Sequence, residues 1–549
     1  MYLKEGQFLY GLLFAMLFNL PTYGQVSNIP VKVIELNHFE TANSRERKGQ
    51  FEAIGEVVPI NEDVLLEANS QEADGMVEYF LAYHAPNAKG INFYFENISL
   101  PKGSTFYLKG NYRGQTLQLP LKPTEKRKEL ATGFIYGDYA ELHIKIPNTK
   151  LEEATILLEG VGVTDQQILP RDIRKDFGSA ASCNVNIRCD EGGLWQDIGR
   201  SVVRILVRNG NFVGWCSGVL VNNTSEDFTP YILTAQHCGL NENTGNIIPQ
   251  SNFDQWVFYF NYEVDGCTGS FSPINLPQNI MAGADLIAHS DDLGGDLGSD
   301  FLLLELQNSI PANFNPVFAG WSNREVNASA GVAIHHPQGD VKKISTYTTQ
   351  LESSQFSSES SIRNTHWKVF WDETPNGFGI TEAGSSGAPL FNNAGQIIGN
   401  LTGGLASCNR TDGFDLFGKV SYHWFSNGDE LENQLAPWLD PLELDALAWR
   451  SVDYSGNLVT GTEEEISLNS LEISPNPSQG RFNLSLPGHT LSSSFNIKVI
   501  DRTGKVVFEQ QLDYVDHNVS MNLGQLKAGL YFLTLNSAEK VYRQKILIR

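Results

Sequence analysis

Basic residues are scarce in this chain of 549 residues: 39 Lys and Arg stand against 63 Asp and Glu, a formal net charge of -24. Nucleic acid and anionic membrane surfaces need dense Lys/Arg patches, and none occurs, so neither is expected as a partner. Beyond residue 25 there is no apolar run long enough for a membrane span. Paired Cys-x-x-Cys spacings are missing, which disfavours a zinc site, and nothing calls for a cofactor. Internal repeats and low-complexity tracts are also absent. With 41% hydrophobic and 19% charged residues the balance is that of an ordinary globular protein, and the length suggests about three or four domains.

The six cysteines present, Cys183, Cys189, Cys216, Cys238, Cys267 and Cys408, all lie in the middle of the chain. An even number confined to one region of an exported protein reads as three disulfides in one domain. Export is expected because Lys4 is followed by the apolar run Phe8 to Leu20 and then by small or polar residues up to Gln25. Residues 1–24 therefore read as a signal peptide.

Residues 25–175 alternate apolar and polar positions, as in Ile91 to Phe95, Thr105 to Leu108 and Leu142 to Ile146, with turn signals such as Pro101-Lys-Gly103 between them. This is a β-rich region without cysteine, in which His143 reads as structural. It ends in the basic cluster Arg171-Asp-Ile-Arg174-Lys175, an exposed linker suited to proteolysis after Lys175. Residues 176–454 change to many short strands with long loops. A hairpin is expected around Asn209-Gly210, buried strands at Phe301 to Leu304 and Gln396 to Leu401, and a short closing helix at Leu431 to Leu439. A polar, acidic linker, 455–466, leads to a β-sandwich pattern at 467–549.

Chemistry is suggested first by Ile380-Thr-Glu-Ala-Gly384-Ser385-Ser386-Gly387-Ala388-Pro389-Leu390, which sets Ser386 between glycines just ahead of an apolar strand. Glycines let the backbone turn tightly, so the Gly384 and Ser386 amides could converge on a developing oxyanion. A serine nucleophile needs a base and an acid that orients the base. The base is His237, at the end of the apolar run Tyr231-Ile-Leu-Thr-Ala-Gln-His237-Cys238. Among the intervening acids only Asp300 leads directly into a strongly apolar strand. Asp291, Asp292 and Asp296 read as a solvated loop, with calcium as a minor alternative. The order His, Asp, Ser is that of chymotrypsin.

Thr234-Ala-Gln-His237-Cys238, Gly298-Ser-Asp300-Phe-Leu-Leu-Leu-Glu-Leu306 and Gly384-Ser-Ser386-Gly-Ala-Pro389 together resemble the bacterial lysyl endopeptidases of the chymotrypsin-like group. The likeness extends to Ser182 to Cys189, Leu220 to Asn223, Ala333 to Pro337 and Trp438 to Pro441. It implies an all-β fold, a chymotrypsin-like double β-barrel with the active site between barrels. It also implies catalytic residues His237, Asp300 and Ser386, and disulfides Cys183 to Cys408, Cys189 to Cys267 and Cys216 to Cys238. Ser385 stands where trypsin has the aspartate that receives a new amino terminus, so that ion pair is not expected. Thr402 replaces a histidine of the family, and His335 and His336 match residues outside the triad.

For specificity, the position six residues before Ser386 is Ile380, which cannot pair with a cation. Asp415, in Asp415-Leu-Phe417-Gly418-Lys-Val420, matches the lysyl endopeptidase aspartate at the pocket base, with Asp412 as the rival. Cleavage after lysine follows from the resemblance. The C-terminal unit resembles the sorting domain of the type IX secretion system through Pro475-Asn-Pro477, Asp501-Arg-Thr-Gly504-Lys-Val-Val507 and Gly529-Leu-Tyr-Phe532. That implies outer-membrane secretion machinery as a partner, beside protein or peptide substrates. The location implied is secreted or cell surface, reached through the periplasm. The competing readings are a protease fold kept as an adhesin or binding module, and a terminal sandwich that binds carbohydrate or a partner.

Overall fold

The computed structural model describes residues 29–34, 51–111, 116–118, 129–164, 178–241, 244–268, 279–357, 362–459, 472–485, 495–501, 506–512, 518–536 and 541–549. The expected signal peptide at 1–24, the cluster Arg171 to Lys175 and most of the expected linker 455–466 lie outside the described residues. The fold is all-β, and among the described residues no helix exceeds six residues or is long and apolar enough to cross a membrane.

The hairpin expected at Asn209-Gly210 is present: Val202–Asn209 pairs with Phe212–Leu220 in unbroken register from Val202↔Val219 to Asn209↔Phe212. Every residue of Val202–Asn209 is buried, which a strand can do only if both its faces are covered. Odd positions Val203, Ile205 and Val207 enter the core of a first barrel. Even position Leu206 enters a second cluster with Tyr94 and Phe134 from the N-terminal region. The barrel continues through Tyr231–Thr234, which lies between Phe212–Leu220 and Leu302–Leu306. Closure falls to Asn279–Ala282 and Ala284–His289, one run bent at Gly283 (φ +84°) whose first half pairs with Val257–Phe260 and whose second half pairs with Leu302–Leu306.

The second barrel is a sheet in the order Val185–Asn186, Lys343–Tyr347, Gly331–His335, Pro389–Asn392, Ile397–Gly404, Asp415–Lys419, His366–Val369, Glu352–Ser354. Asp372, just past His366–Val369, donates its amide to Thr346 O of Lys343–Tyr347 at 2.9 Å and so joins the strands next to the two ends. Val219, Leu233 and Leu303 of the first barrel and Val332, Ile344 and Ile397 of the second share one apolar cluster, which fixes the barrels against each other. The three disulfides are Cys183–Cys408, Cys189–Cys267 and Cys216–Cys238, the pairs implied by the family likeness. The closing helix expected over Leu431 to Leu439 is instead a 3-10 turn, Leu431–Asn433, and a short α-turn, Ala436–Leu439, with Gln434 extended between them. Pro437 lacks an amide and disfavours a helical residue ahead of it, so a helix can begin there but cannot run through.

The N-terminal region is a pair of sheets around a core that includes Leu81, Tyr83, Phe93, Phe95, Leu142, Ile144 and Val161. Its strand Ala53–Asp63 pairs with Thr155–Thr164 on one side and with Phe212–Leu220 on the other, so one sheet runs from this region into the first barrel. Glu159 clamps Arg208 of the barrel with two hydrogen bonds of 2.8 and 2.5 Å. The ring of Phe134 meets Trp215 edge-on at 5.8 Å. His143 is buried, stacked on Tyr107 and hydrogen-bonded to Glu141 at 2.6 Å. At the far end, Glu472–Ser474, Arg481–Ser485 and Asn518–Asn522 form one small sheet. Phe495–Asp501, Val506–Leu512, Gly529–Asn536 and Val541–Ile548 form another, and the shared core includes Phe482, Ile497, Val499, Leu533 and Ile546.

Candidate active site

Strand pairing brings the first two candidate residues together. Thr234 is opposite Leu302, so the 3-10 turn Gln236–Gly239 that follows one strand lies beside Asp300, which precedes the other. Asp300 Oδ1 accepts from the His237 amide at 2.9 Å and Oδ2 lies 2.7 Å from His237 Nδ1, with both side chains buried. A carboxylate oxygen accepts, so Nδ1 carries the proton and Nε2 presents a lone pair. His237 Nε2 is buried and has no partner among the described residues. The Cys216–Cys238 bond anchors the same turn to the neighbouring strand. Asp300 itself sits at φ +62°, in the left-handed region that aspartate tolerates better than most residues.

The backbone of Asp300 is held from behind. Its amide donates to Asp292 Oδ2 at 2.7 Å, while Asp292 Oδ1 accepts from Gly295 N at 3.0 Å. Asp292 is 3% exposed, so the reading of a solvated loop is corrected for this residue: the glycine-rich stretch folds back over its own acid and supplies amides in place of water. Burial, reinforced by the charge of Asp300, pushes its carboxyl up to about 6. The Asp300 carbonyl accepts from Asn400 Nδ2 at 2.8 Å, and that amide group also reaches Thr234 O at 3.3 Å. Asn400 Oδ1 is 2.6 Å from His423 Nε2, and His423 Nδ1 is 2.7 Å from Ser299 Oγ. Burial holds His423 well below the usual imidazole range, so it serves this chain as a neutral donor and acceptor.

The serine loop approaches from the second barrel. Gly387, at φ +80°, leaves no room for a side chain against Thr234 Oγ1 and Ala235 N, which presses the residue after Ser386 onto the segment leading to His237. Ser217 N donates to Ser386 O at 2.8 Å, fixing the loop to the first barrel. The amides of Ser385 and Gly387 are taken by Glu382 O and Leu401 O, at 2.9 and 2.8 Å. Those of Gly384 and Ser386 have no acceptor among the described residues. Ser385 is buried, and its hydroxyl lies 2.7 Å from His335 Nδ1, whose Nε2 is 3.0 Å from Ser345 Oγ. His336 Nδ1 donates to Asp340 O at 2.9 Å. Burial pulls both histidines down, His335 to about 3, which makes them neutral braces.

Asp415 is buried in strand Asp415–Lys419, next to Gly404 and Val369. Its Oδ2 accepts from Trp371 Nε1 and from Thr381 Oγ1, each at 2.7 Å, and Oδ1 from Ala406 N at 3.3 Å. Asp412 by contrast has a side chain 90% exposed, 4.0 Å from Arg410 Nε. Ile380 is buried, and Thr402 Oγ1 is 3.0 Å from His366 Nε2. Burial lowers His366 to about 4.

Two stretches of the chain match known families. Residues 177–418 match the family described as lysyl endopeptidase, C-terminal domain, and residues 472–549 the secretion system C-terminal sorting domain. A lysyl endopeptidase of Pseudomonas aeruginosa is 27% identical over 302 residues, 52% of this chain and 60% of that relative, so the chain spans less than two thirds of the length of this curated relative. Solved structures with partial likeness include the protease Anisep from Arthrobacter nicotinovorans, at 15% identity over 40% of this chain and 90% of that one, TM-score 0.28. A Glu endopeptidase is 15% identical over 45% of this chain and 93% of that one, TM-score 0.27. The chain is thus similar to the lysyl endopeptidases in its central part and to secretion sorting domains at its C-terminus.

Asp292 generates a pH prediction. Its folded carboxyl, raised from an ordinary 3.8 to about 6, binds protons more tightly than the unfolded chain does. The group therefore contributes a loss of stability as pH rises from about 4 to about 6. Chemical denaturation across that window should show Asp292→Asn without this component of the slope, and equal slopes in the two proteins would refute the assignment.

Proposed function

We propose that the chain is an exported serine endopeptidase, made as a precursor, that hydrolyses peptide bonds on the carboxyl side of lysine. The observation that carries the reading is the buried His237–Asp300 pair, its Nε2 unclaimed, beside a serine loop with two unclaimed amides. In this reading Ser386 Oγ attacks the scissile carbonyl and gives its proton to His237 Nε2. Asp300 stabilises the imidazolium, the Gly384 and Ser386 amides hold the oxyanion, and His237 returns the proton to the leaving amine. Water then repeats the sequence on the acyl-enzyme. The intact set of groups disfavours a protease-fold adhesin or binding module.

Lysine preference is assigned to Asp415. Support comes from its burial and from its bond to Thr381, in the loop leading to Ser386, against the exposure of Asp412. Similarity to lysyl endopeptidases points the same way. A buried carboxylate would bind an ammonium through charge-assisted hydrogen bonds, whereas the planar guanidinium fork needs a differently shaped site. The sorting-domain match supports recognition by outer-membrane secretion machinery after passage through the periplasm, with release or attachment at the cell surface.

Matched Lys, Arg and Leu peptides test the pocket. Asp415→Asn should lose about 2 to 5 kcal/mol of transition-state binding for the Lys peptide, with Asp412→Asn close to wild type. Loss of preference in Asp412→Asn alone would reverse the assignment, and a wild type that prefers Leu would end it. Maturation gives a second test. N-terminal sequencing of the wild type should read from Asp176, and the Ser386→Ala precursor kept apart from other proteases should stay uncut; normal maturation of that precursor would mean the cut is not its own.

A further inference from the structure

The N-terminal region is seated on the outer face of the first barrel. The pairs Glu56↔Phe212, Gly55↔Val213 and Ala53↔Gly214 continue the sheet, and Val57 N donates to Asn211 O at 2.8 Å. Beside them Ile54, Tyr94 and Phe134 share an apolar cluster with Leu206, Trp215 and Tyr259. Phe134 N donates to Tyr259 Oη at 3.1 Å, and the hydroxyls of Tyr136 and Tyr262 lie 3.4 Å apart. This seat is connected to the serine loop. Tyr262 stacks on Arg204, which bonds to the turn from His336 to Asp340, and that turn supports Gly384 through Gln338 N, which donates to Ala383 O at 2.6 Å.

Charge is unbalanced where the two parts meet. Arg208 is the cation of the group, and Gln255 Nε2 adds donors to Glu159 Oε2 at 2.8 Å and to Phe95 O at 3.4 Å. Against it stand Glu96, Glu129 and Glu159 of the N-terminal region and Asp254 of the barrel. Asp285 is linked to Asp254 by Gln307, whose Nε2 donates to the Oδ1 atoms of both, at 3.2 and 2.6 Å. Glu129 is hydrogen-bonded to Asp254 across the seam, while its Oε2 is buried without a partner among the described residues. Two ionised carboxylates have no donor between them, so this contact requires a proton on one. Asp254 Oδ1 also accepts from Gln250 Nε2 at 2.9 Å, which favours the charged form of Asp254 and leaves the proton to Glu129. Burial, the charge and bond of Asp254 and the charges of Glu159 and Glu96 push the Glu129 carboxyl from an ordinary 4.5 up to about 7. Burial works against the charge of Glu159, but the bonds from Arg208 and Gln255 overcome it and hold that carboxyl below its ordinary range.

We propose that Glu129 and Asp254 form a proton-bridged contact that holds the N-terminal region on the first barrel, so that the region, once the linker is cut, stays docked in acid and is released as pH rises through neutrality. The free Glu129 carboxyl is ordinary and the docked one is raised, so docking takes up one proton from solvent between pH of about 4.5 and about 7. Affinity is therefore highest at the acid end of that window and is lost as pH climbs through it. Above it both carboxylates are charged, with Glu159 and Glu96 close by, and Arg208 is already committed to Glu159. The proposal draws on the precursor reading only for the existence of the cut.

The test uses the full chain carrying Ser386→Ala, to prevent self-digestion, nicked by added trypsin at the basic cluster Arg171 to Lys175. Sedimentation velocity on a dilution series then reads how much of the two pieces remains joined. With Glu129 and Asp254 intact, the dissociation constant should be about tenfold or more larger at about pH 7.5 than at about pH 5, the partial exposure of Glu129 screening some of the full effect. Glu129→Gln keeps a donor for Asp254 and cannot lose it, so its two values should agree within about twofold. Asp254→Asn should likewise remove the dependence, and covers the case that Glu129→Gln fails to fold. A dissociation constant that does not rise with pH when both carboxyls are present, or that rises equally in the variants, overturns the shared proton. Pieces that part at once at the acid end, or that stay joined at every dilution at the alkaline end, overturn the pH-governed docking. Trypsin makes the cut, so an inactive wild type would end the protease reading and leave these outcomes unaffected.

Discussion

A carboxylate buried between two barrels is tolerable only if its oxygens and its backbone are satisfied there, and Asp300 imposes that demand on the surrounding structure. His237 answers with its amide and its ring nitrogen, Asp292 takes the Asp300 amide, and Asn400 reaches its carbonyl. Asn400 comes from the second barrel and the other groups from the first, so the barrels must be held in register for the set to form. The shared apolar cluster around Leu233, Leu303 and Ile397 holds that register, and the Cys216–Cys238 bond fixes the turn that carries His237 within the first barrel. Electrostatics at the site and packing between the barrels are in this sense one constraint.

The parts of this arrangement that are local in sequence could be read from the residues. His237 ends an apolar strand, Asp300 begins another, and glycines surround Ser386, because a strand is needed to aim each side chain and Gly384 and Gly387 take positive φ. The hairpin at Asn209-Gly210 was equally legible. What could not be read was burial that depends on distant contacts. Asp292 looks solvated in an Asp/Gly-rich run, yet Gly298 has no room for a Cβ beside its carboxylate and the loop closes over it. The closeness of those glycines to the acid was the one available signal. Asn400 and His423 carry none, since a polar residue in a strand and a histidine in a short helix look the same whether or not they face a buried carbonyl.

The N-terminal region was likewise legible as β-structure but not as a continuation of the first barrel. Even positions of Val202–Asn209 hold Arg204 and Arg208, which sequence alone would assign to solvent. In the fold the Arg204 guanidinium lies over Trp215, Tyr259 and Tyr262, and Arg208 is clamped by Glu159. Arg204 Nη1 also donates to Gly339 O at 2.7 Å, so the face that receives the N-terminal region is connected to the turn that supports Gly384. The strand thus serves two cores, and its all-buried pattern reflects both of them.

The central claim is that Ser386 is a nucleophile activated by His237. The most direct measurement is mass-spectrometric mapping of matured protein treated with a fluorophosphonate, since covalent capture requires the hydroxyl, the base and the oxyanion amides to act together. The account predicts one adduct, on Ser386, that fails to form in His237→Ala. An adduct on another residue, or none on folded and correctly cut protein, would contradict it.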